Sequence, residues 1–253
     1  MTRMIELTLI GIGTGNPGHL TLQAIEAMNA ADLVLIPLKG AGKSDLAGLR
    51  RALCETHLRV PGPRVVDFAL PVREAENPSY RQGVDDWHDA IAAAWEREIR
   101  AQIGPEGRVA LLVWGDPSLY DSTLRIAARL ARVLPVTTRV IPGITAVQAL
   151  CAAHAIPLNE IGAPVLLTTG RRLREAGWPE GAETVVVMLD GGCAFTTLAP
   201  EGVTIWWGAF VGMAEEVLHA GPLAEAGPKI LATRAAARAA HGWIMDIYLL
   251  RRS

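Results

Sequence analysis

Three short loops carry the residues of this chain best suited to hold a ligand: Gly11-Ile12-Gly13-Thr14-Gly15-Asn16-Pro17-Gly18, Trp114-Gly115-Asp116-Pro117-Ser118-Leu119-Tyr120 and Pro142-Gly143-Ile144-Thr145-Ala146. Each follows an apolar run that reads as a strand. Ligands of open α/β sheets bind outside the carboxyl ends of the strands, where missing side chains let backbone amides come close. Asp116 places one carboxylate at such an end, with Pro117 fixing the chain behind it. It can accept from a ligand amine, a ribose or a backbone amide, or it can close an Asx turn. Thr145 and Ala146 open a helix whose first amides can meet polar ligand atoms or simply be capped.

Other patterns were weighed against these loops. Gly13 to Gly18 matches GxGxxG between a strand and a helix, which taken alone suggests NAD(P) and an oxidoreductase. Pro17, however, lies where helix amides should meet the pyrophosphate. Asp32 precedes the second strand, which ends in Ile36-Pro37-Leu38 with no carboxylate for the ribose. Gly42-Lys43-Ser44 lacks the glycine five residues earlier that a P-loop needs, since Pro37 stands there. The six histidines are dispersed, and Cys54, Cys151 and Cys193 have no Cys-x-x-Cys spacing, so neither a metal site nor a disulfide framework is expected. There is no Gly-x-Ser-x-Gly elbow. Arg50-Arg51, Arg171-Arg172-Leu173-Arg174, Lys39, Lys43, Arg234 and Arg238 can face a polycarboxylate or be solvated surface. Trp206-Trp207 can wall a flat ligand or pack in the core.

These loops need a scaffold, and the hydropathy pattern describes one. Strands are expected at Leu7 to Ile12, Leu33 to Leu38, Val65 to Leu70, Val109 to Trp114 and Thr137 to Ile141. Helices are expected at Leu20 to Ala31, from Ser44 or Asp45 to about Leu53, at Tyr80 to Ile103, at Thr123 to Leu134 and from Thr145 to about His154. After Ile156-Pro157 the pattern turns to more strands and fewer long helices: Val165 to Thr168, Thr184 to Leu189, Val203 to Trp207, Lys229 to Ala232 and Trp243 to Leu250. The expected architecture is α/β in two domains, 1–141 with a mostly parallel sheet and 142–253 with a mixed one.

The 253 residues, 50% of them hydrophobic, can fill a sizeable core. A net charge of −2 gives no support for nucleic acid or an anionic membrane as partner. No run approaches the roughly 20 apolar residues of a membrane span. Together with the cysteine pattern, this makes a cytoplasmic protein the expectation.

In order and context the three loops resemble the S-adenosylmethionine-dependent tetrapyrrole (precorrin) methyltransferase family. The family's early glycine loop followed by Leu-Thr corresponds to Gly11 to Thr21. Its Gly-Asp-Pro loop with a downstream Tyr corresponds to Gly115 to Tyr120. Its Pro-Gly-Ile-Thr-Ala turn followed by Ile-Pro-Leu corresponds to Pro142 to Ala146 with Ile156-Pro157-Leu158. Leu38 to Leu46 and Ala239 to Asp246 look like the branch that methylates precorrin-5 at ring carbon C1 and releases acetate in aerobic cobalamin synthesis. The resemblance implies a homodimer of two α/β domains with S-adenosylmethionine in the cleft between them. It implies cofactor contacts at Thr14, Gly115, Asp116, Leu119, Thr145 and Ala146, with Met188, Leu189, Ala209 and Phe210 completing the cavity. Several relatives carry a catalytic aspartate at the end of the second strand; here that position is Pro37, so the role does not transfer. Candidates to activate the water that removes the acetyl group are Asp45, Asp116, Tyr120, Glu215 and His219. The other classes kept open are an NAD(P)-dependent oxidoreductase, a methylase of another ring position and a non-catalytic tetrapyrrole-binding protein.

Overall fold

The apolar runs of the N-terminal half become five parallel strands, and the three central ones are buried because helices cover both faces of the sheet, while the two edge strands are mostly exposed. The computed structural model describes residues 4–38, 44–73 and 80–252. The chain divides into two compact units, Met1–Ile144 and Thr145–Ser253. In the first unit the strands are β1 (Ile5–Gly11), β2 (Leu33–Leu38), β3 (Arg64–Ala69), β4 (Gly107–Val113) and β5 (Val136–Ile141), in spatial order β3-β2-β4-β1-β5. The helices are α1 (Leu22–Ala30), α2 (Ser44–His57), α3 (Tyr80–Gln102) and α4 (Thr123–Leu130).

Alternation of side chains along the strands divides the core. Leu7, Leu9, Leu33, Leu35, Val109 and Leu111 pack on one face with Ile91, Trp95 and Ile99 of α3. Ile10, Ile12, Val34, Ile36, Ala110 and Leu112 pack on the other with Ala24 and Met28 of α1. This order bears on the GxGxxG reading. In the dinucleotide fold β1 and β2 are neighbours, whereas here β4 lies between them. The glycine loop does not run straight into α1 either. Asn16 caps a 3-10 turn at Pro17–His19, and α1 starts only after Thr21, whose hydroxyl accepts from the Ala24 amide. The amide ladder that would hold a pyrophosphate is therefore displaced from the glycines.

The second unit holds α5 (Ala146–His154), β6 (Val165–Thr169), α6 (Gly170–Ala176), β7 (Thr184–Met188), β8 (Val203–Ala209), β9 (Val217–Pro222), α7 (Leu223–His241) and β10 (Asp246–Arg252), with sheet order β6-β7-β10-β8-β9. β6 and β7 are parallel, while β10 runs antiparallel to β7 and β8. The sheet is mixed, as expected. One expected strand is corrected: Lys229 to Ala232 lies inside α7. The buried residues there are Leu223, Ala226, Gly227, Ile230 and Arg234, a spacing of three and four that belongs to a helix. Two elements, α6 and β9, escaped the pattern reading. β9 is an edge strand interrupted by His219 and Gly221, with only a partial apolar face. The last strand starts at Asp246, three residues later than Trp243 suggests.

Candidate functional site

The three loops of the first unit meet backbone to backbone at the C-terminal edge of its sheet. Gly13 and Gly115 exchange hydrogen bonds, Gly115 N to Gly13 O at 2.8 Å and Gly13 N to Gly115 O at 3.3 Å. A Cβ at Gly11 would sit 2.5 Å from the Gly143 nitrogen, and one at Gly143 would sit 2.1 Å from the Gly115 carbonyl oxygen. No side chain fits between these strands of backbone, which is why glycine stands at 11 and 143. Gly115 has a different reason: its φ is +64°, a left-handed conformation, and the space over its Cα is open.

Asp116 joins the second loop to the third. One carboxylate oxygen accepts from the Ser118 amide at 2.8 Å and the Ser118 hydroxyl at 2.5 Å, and the other accepts from the Gly143 amide at 2.9 Å. The Asx turn and the inter-loop contact thus both exist, one on each oxygen. Burial works against the charged form, but the hydrogen bonds from Ser118 and Gly143 outweigh it and hold the carboxyl below its ordinary pKa. A depressed folded-state pKa contributes stability that is complete above the unfolded value near pH ~3.9 and is lost as pH falls through the folded value. Asp116→Asn is expected to be about 1–2 kcal/mol less stable than the parent at pH 7. The gap should close as pH falls below about 4, as read by urea unfolding at a series of pH values.

The remaining first-unit candidates surround this knot. Thr14 is buried and its hydroxyl lies 3.0 Å from His19 Nδ1, a partner that the sequence did not suggest. Ser118, Leu119, Tyr120, Asp121, Ser122 and Arg125 line an open hollow of about 410 Å³. Tyr120 is 44% exposed and takes a left-handed φ of +49°, a strained conformation of the kind that collects at ligand sites. Burial raises its hydroxyl pKa, so near neutrality it is a proton donor. Lys39 to Lys43 and the side chain of Asp45 fall outside the described residues.

In the second unit Thr145 caps α5. Its hydroxyl accepts from the Val147 amide, and its own amide donates to Gln148 Oε1 at 3.1 Å, closing a capping box. Met188, Leu189, Ala209 and Phe210 lie at the C-terminal ends of β7 and β8, two strands that point the same way with β10 between them. Leu189 and Phe210 are both left-handed, with φ of +53° and +51°. Leu189 is open to solvent. Ala209 and Phe210 are buried, and the Phe210 ring packs edge-on against His241 and Trp243. The Phe210 amide donates to Met245 O and its carbonyl accepts from the Met213 amide, so both of its backbone polar groups are engaged.

The edge carrying these residues rests on a buried polar network that no motif announces. Asp190 accepts from the Tyr248 hydroxyl at 2.6 Å, from the amides of Gly192 and Ala194, and from Arg174. Arg234 donates to Asp246 at 2.8 Å and to the Asp190 carbonyl at 3.0 Å, and the Trp207 indole donates to the same Asp246 oxygen. Arg234 and Trp207 are therefore parts of the core. Neither faces a ligand, in contrast to the ligand-facing alternative considered for each. Gly170 completes the arrangement, since a Cβ there would lie 2.1 Å from Asp190 Cγ. The bonds its side chains donate span 12 to 58 residues of sequence, so only tertiary structure brings these groups together. Of the other candidates, His219 bonds Thr233 through Nε2 and stacks on Trp207, while Glu215 is exposed in the turn before β9.

A family model for tetrapyrrole (corrin/porphyrin) methylases matches residues 6–227. The chain is 52% identical over 251 residues to a precorrin-6A synthase [deacetylating] of a Sinorhizobium species, covering 98% of this chain and 96% of the relative. It is 36% identical over 157 residues, 59% of each chain, to a precorrin-2 C(20)-methyltransferase of the same genus. Among solved structures, a cobalamin synthesis related protein (CobF) of Corynebacterium diphtheriae superposes with a TM-score of 0.84 at 41% identity, covering 98% of this chain and 99% of that one. A uroporphyrin-III C-methyltransferase of Thermus thermophilus, solved with S-adenosylhomocysteine, superposes with a TM-score of 0.58 over 97% of both chains. At 21% identity that likeness speaks for the fold alone. Among the described residues no helix is long and apolar enough to cross a membrane.

Proposed function

Since the chain belongs to the tetrapyrrole (corrin/porphyrin) methylase family and is a methyltransferase, we propose that it uses S-adenosylmethionine to methylate precorrin-5 at C1 with release of acetate, giving precorrin-6A. The near full-length 52% identity to a precorrin-6A synthase [deacetylating] carries the choice of substrate. The homodimer expected from the resemblance is part of the same proposal.

The residues at the loop knot fit a bent nucleoside better than an extended dinucleotide. The open space over Gly115 admits a ligand directly against backbone, and Leu119 and Tyr120 of the same loop line the neighbouring hollow. The displaced start of α1, and β4 lying between β1 and β2, leave no pyrophosphate cradle at Gly13 to Gly18. In this reading Thr14, Gly115, Asp116, Leu119, Thr145 and Ala146 hold the cofactor, and Met188, Leu189, Ala209 and Phe210 supply apolar wall. A bound sulfonium supplies the electrophilic methyl group, so the protein's task is alignment and exclusion of water. Asp116 acts through Gly143: with both oxygens engaged and its pKa depressed, it is a poor base and a firm tie between loops. Tyr120, protonated and open at the hollow, is suited to donate a hydrogen bond to the acyl oxygen as water attacks.

Calorimetry with S-adenosylhomocysteine tests the cofactor assignment. Binding to the parent protein is expected, and Asp116→Ala should weaken it about tenfold, because loss of the charge-assisted tie to the Gly143 amide loosens the loops that hold the ligand. Absence of binding to the parent would overturn the cofactor assignment. The mass of the product formed from precorrin-5 and labelled methyl donor tests the reaction. One labelled methyl gained and the acetyl unit lost is the expected result, and methyl gain alone would place the enzyme elsewhere in the family.

A further inference from the structure

Arg50 occupies a place in the first unit that stability alone does not explain. The ladder between β2 and β4 runs from Leu33 opposite Val109 to Leu35 opposite Leu111 and then stops. Both strands continue, β2 pairing with β3 as far as Leu38 and β4 pairing with β1 as far as Val113. Pro37, which has no N–H to offer, lies in the unpaired part of β2. At the C-terminal edge the sheet is thus split between its second and third strands, and in open α/β sheets such a point receives ligands. Arg50, reaching in from α2, fills the split. Its Nε–H donates to the carbonyl of Leu112, one residue past the last paired position, at 2.8 Å, and Nη1 donates to Leu46 O at 3.1 Å.

What distinguishes this arginine is that, among the described residues, no carboxylate hydrogen-bonds to it. Among the described residues, the other arginines set into the fold, Arg129, Arg234 and Arg251, each have a carboxylate within 2.8 Å, whereas Arg50 has carbonyl partners only. Its acidity reflects this: burial lowers the pKa to about 10, partly offset by attraction from Asp121. Asp121 accepts from the Thr123 amide and hydroxyl through one carboxylate oxygen, makes no hydrogen bond to Arg50, and lines the hollow beside Tyr120. A half-buried cation lacking a counter-charge is costly unless an anion joins it. A guanidinium with two N–H groups of Nη2 uncommitted is shaped to receive a carboxylate.

We infer that Arg50 binds a carboxylate of the bound ligands at the split in the first-unit sheet. The inference rests on the proposed function, in which two ligands carry that group: the amino-acid end of the methyl donor and the acidic side chains of the tetrapyrrole. The experiment separates them. Arg50→Gln, which keeps a donor for Leu112 O, and Arg50→Lys, which keeps the charge, are titrated with S-adenosylhomocysteine and with 5′-methylthioadenosine, which lacks the amino-acid portion. Their KM and kcat for the tetrapyrrole are measured alongside. If the cofactor carboxylate is the partner, Arg50→Gln raises the Kd for S-adenosylhomocysteine at least tenfold and leaves that for methylthioadenosine within twofold. If a substrate carboxylate is the partner, both Kd values hold and KM rises at least tenfold with little change in kcat. In either case Arg50→Lys should fall between Arg50→Gln and the parent. A folded Arg50→Gln with Kd and KM both within twofold of the parent overturns the inference and leaves Arg50 as a plug for the split. Modification of the parent protein by phenylglyoxal, followed by peptide mass analysis, gives a reading that needs no variant. Saturating ligand should protect Arg50, and unchanged modification with both ligands present also overturns the inference. Failure of the parent to bind S-adenosylhomocysteine or turn over tetrapyrrole counts instead against the proposed function.

Discussion

Gly143→Ala is expected to abolish detectable binding of S-adenosylhomocysteine and to lower Tm by about 8–16 °C, corresponding to a loss of about 4 kcal/mol. The added methyl would stand 2.1 Å from the Gly115 carbonyl oxygen and 2.8 Å from both the Cα and the carbonyl carbon of Gly11. All three atoms are backbone, anchored in β1 or in the loops after β1 and β4, so no rotamer change relieves the clash. The third loop must move, and with it goes the Gly143 amide that Asp116 accepts from. Gly48→Ala is the control. Gly48 lies exposed within α2 with nothing within 4 Å of its Cβ position, and alanine in a helix is favoured over glycine by up to about 1 kcal/mol. That variant should melt at the parent temperature or slightly above it and bind normally. Thermal melts and calorimetry on the two proteins check the pair. Retention of parent affinity by Gly143→Ala would show that the three loops do not form one rigid site.

Asp246→Ala should destabilise the protein by about 3–5 kcal/mol, because it leaves Arg234 buried without its counter-ion. The Arg234 and Asp246 side chains are 10% and 8% exposed, so water cannot take the place of the carboxylate. The same deletion strips the Trp207 indole of its acceptor and disturbs the start of β10, where Asp246 pairs with Ala209 and Met245 O accepts from the Phe210 amide. Replacing both partners, as in Arg234→Met with Asp246→Leu, removes the unpaired charge and is expected to recover at least half of the loss. Urea unfolding of Arg234→Met, Asp246→Leu and the double variant completes the cycle. A near-additive result would mean that the pair acts as two separate surface-like charges, contrary to its burial.

Much of this molecule is legible in one dimension. The strands of the first unit are short apolar runs bounded by glycine and proline, and each was placed within two residues of where it stands. A two-state alternation between strand and helix periods needs only local information. The three loops were found for the same reason: glycine and proline announce unusual backbone wherever they occur. The second unit was read less well. Lys229-Ile230-Leu231-Ala232 looked like a strand because a four-residue window cannot distinguish periods of 2 and 3.6. The burial of Leu223, Ala226, Ile230 and Arg234 along nineteen residues settles it as a helix. β9 was missed because an edge strand with one partly covered face carries little hydrophobic signal.

By its own order of residues the chain determined the α/β class, the loops at the strand ends and, through the resemblance of their motifs, the methyltransferase family. Only the folded molecule decided what those residues do. Asp116, legible as a ligand acceptor, spends its two oxygens holding loops together. Arg234 and Trp207, which the sequence leaves open between facing a ligand and, respectively, solvated surface or core packing, are core. Arg50, one of many cations in the sequence, is set apart by having, among the described residues, hydrogen-bond partners that are carbonyls and not carboxylates. The physical reason is the same each time. A motif specifies which groups are available, but whether a charge or a donor is free for a ligand depends on partners brought from distant parts of the chain.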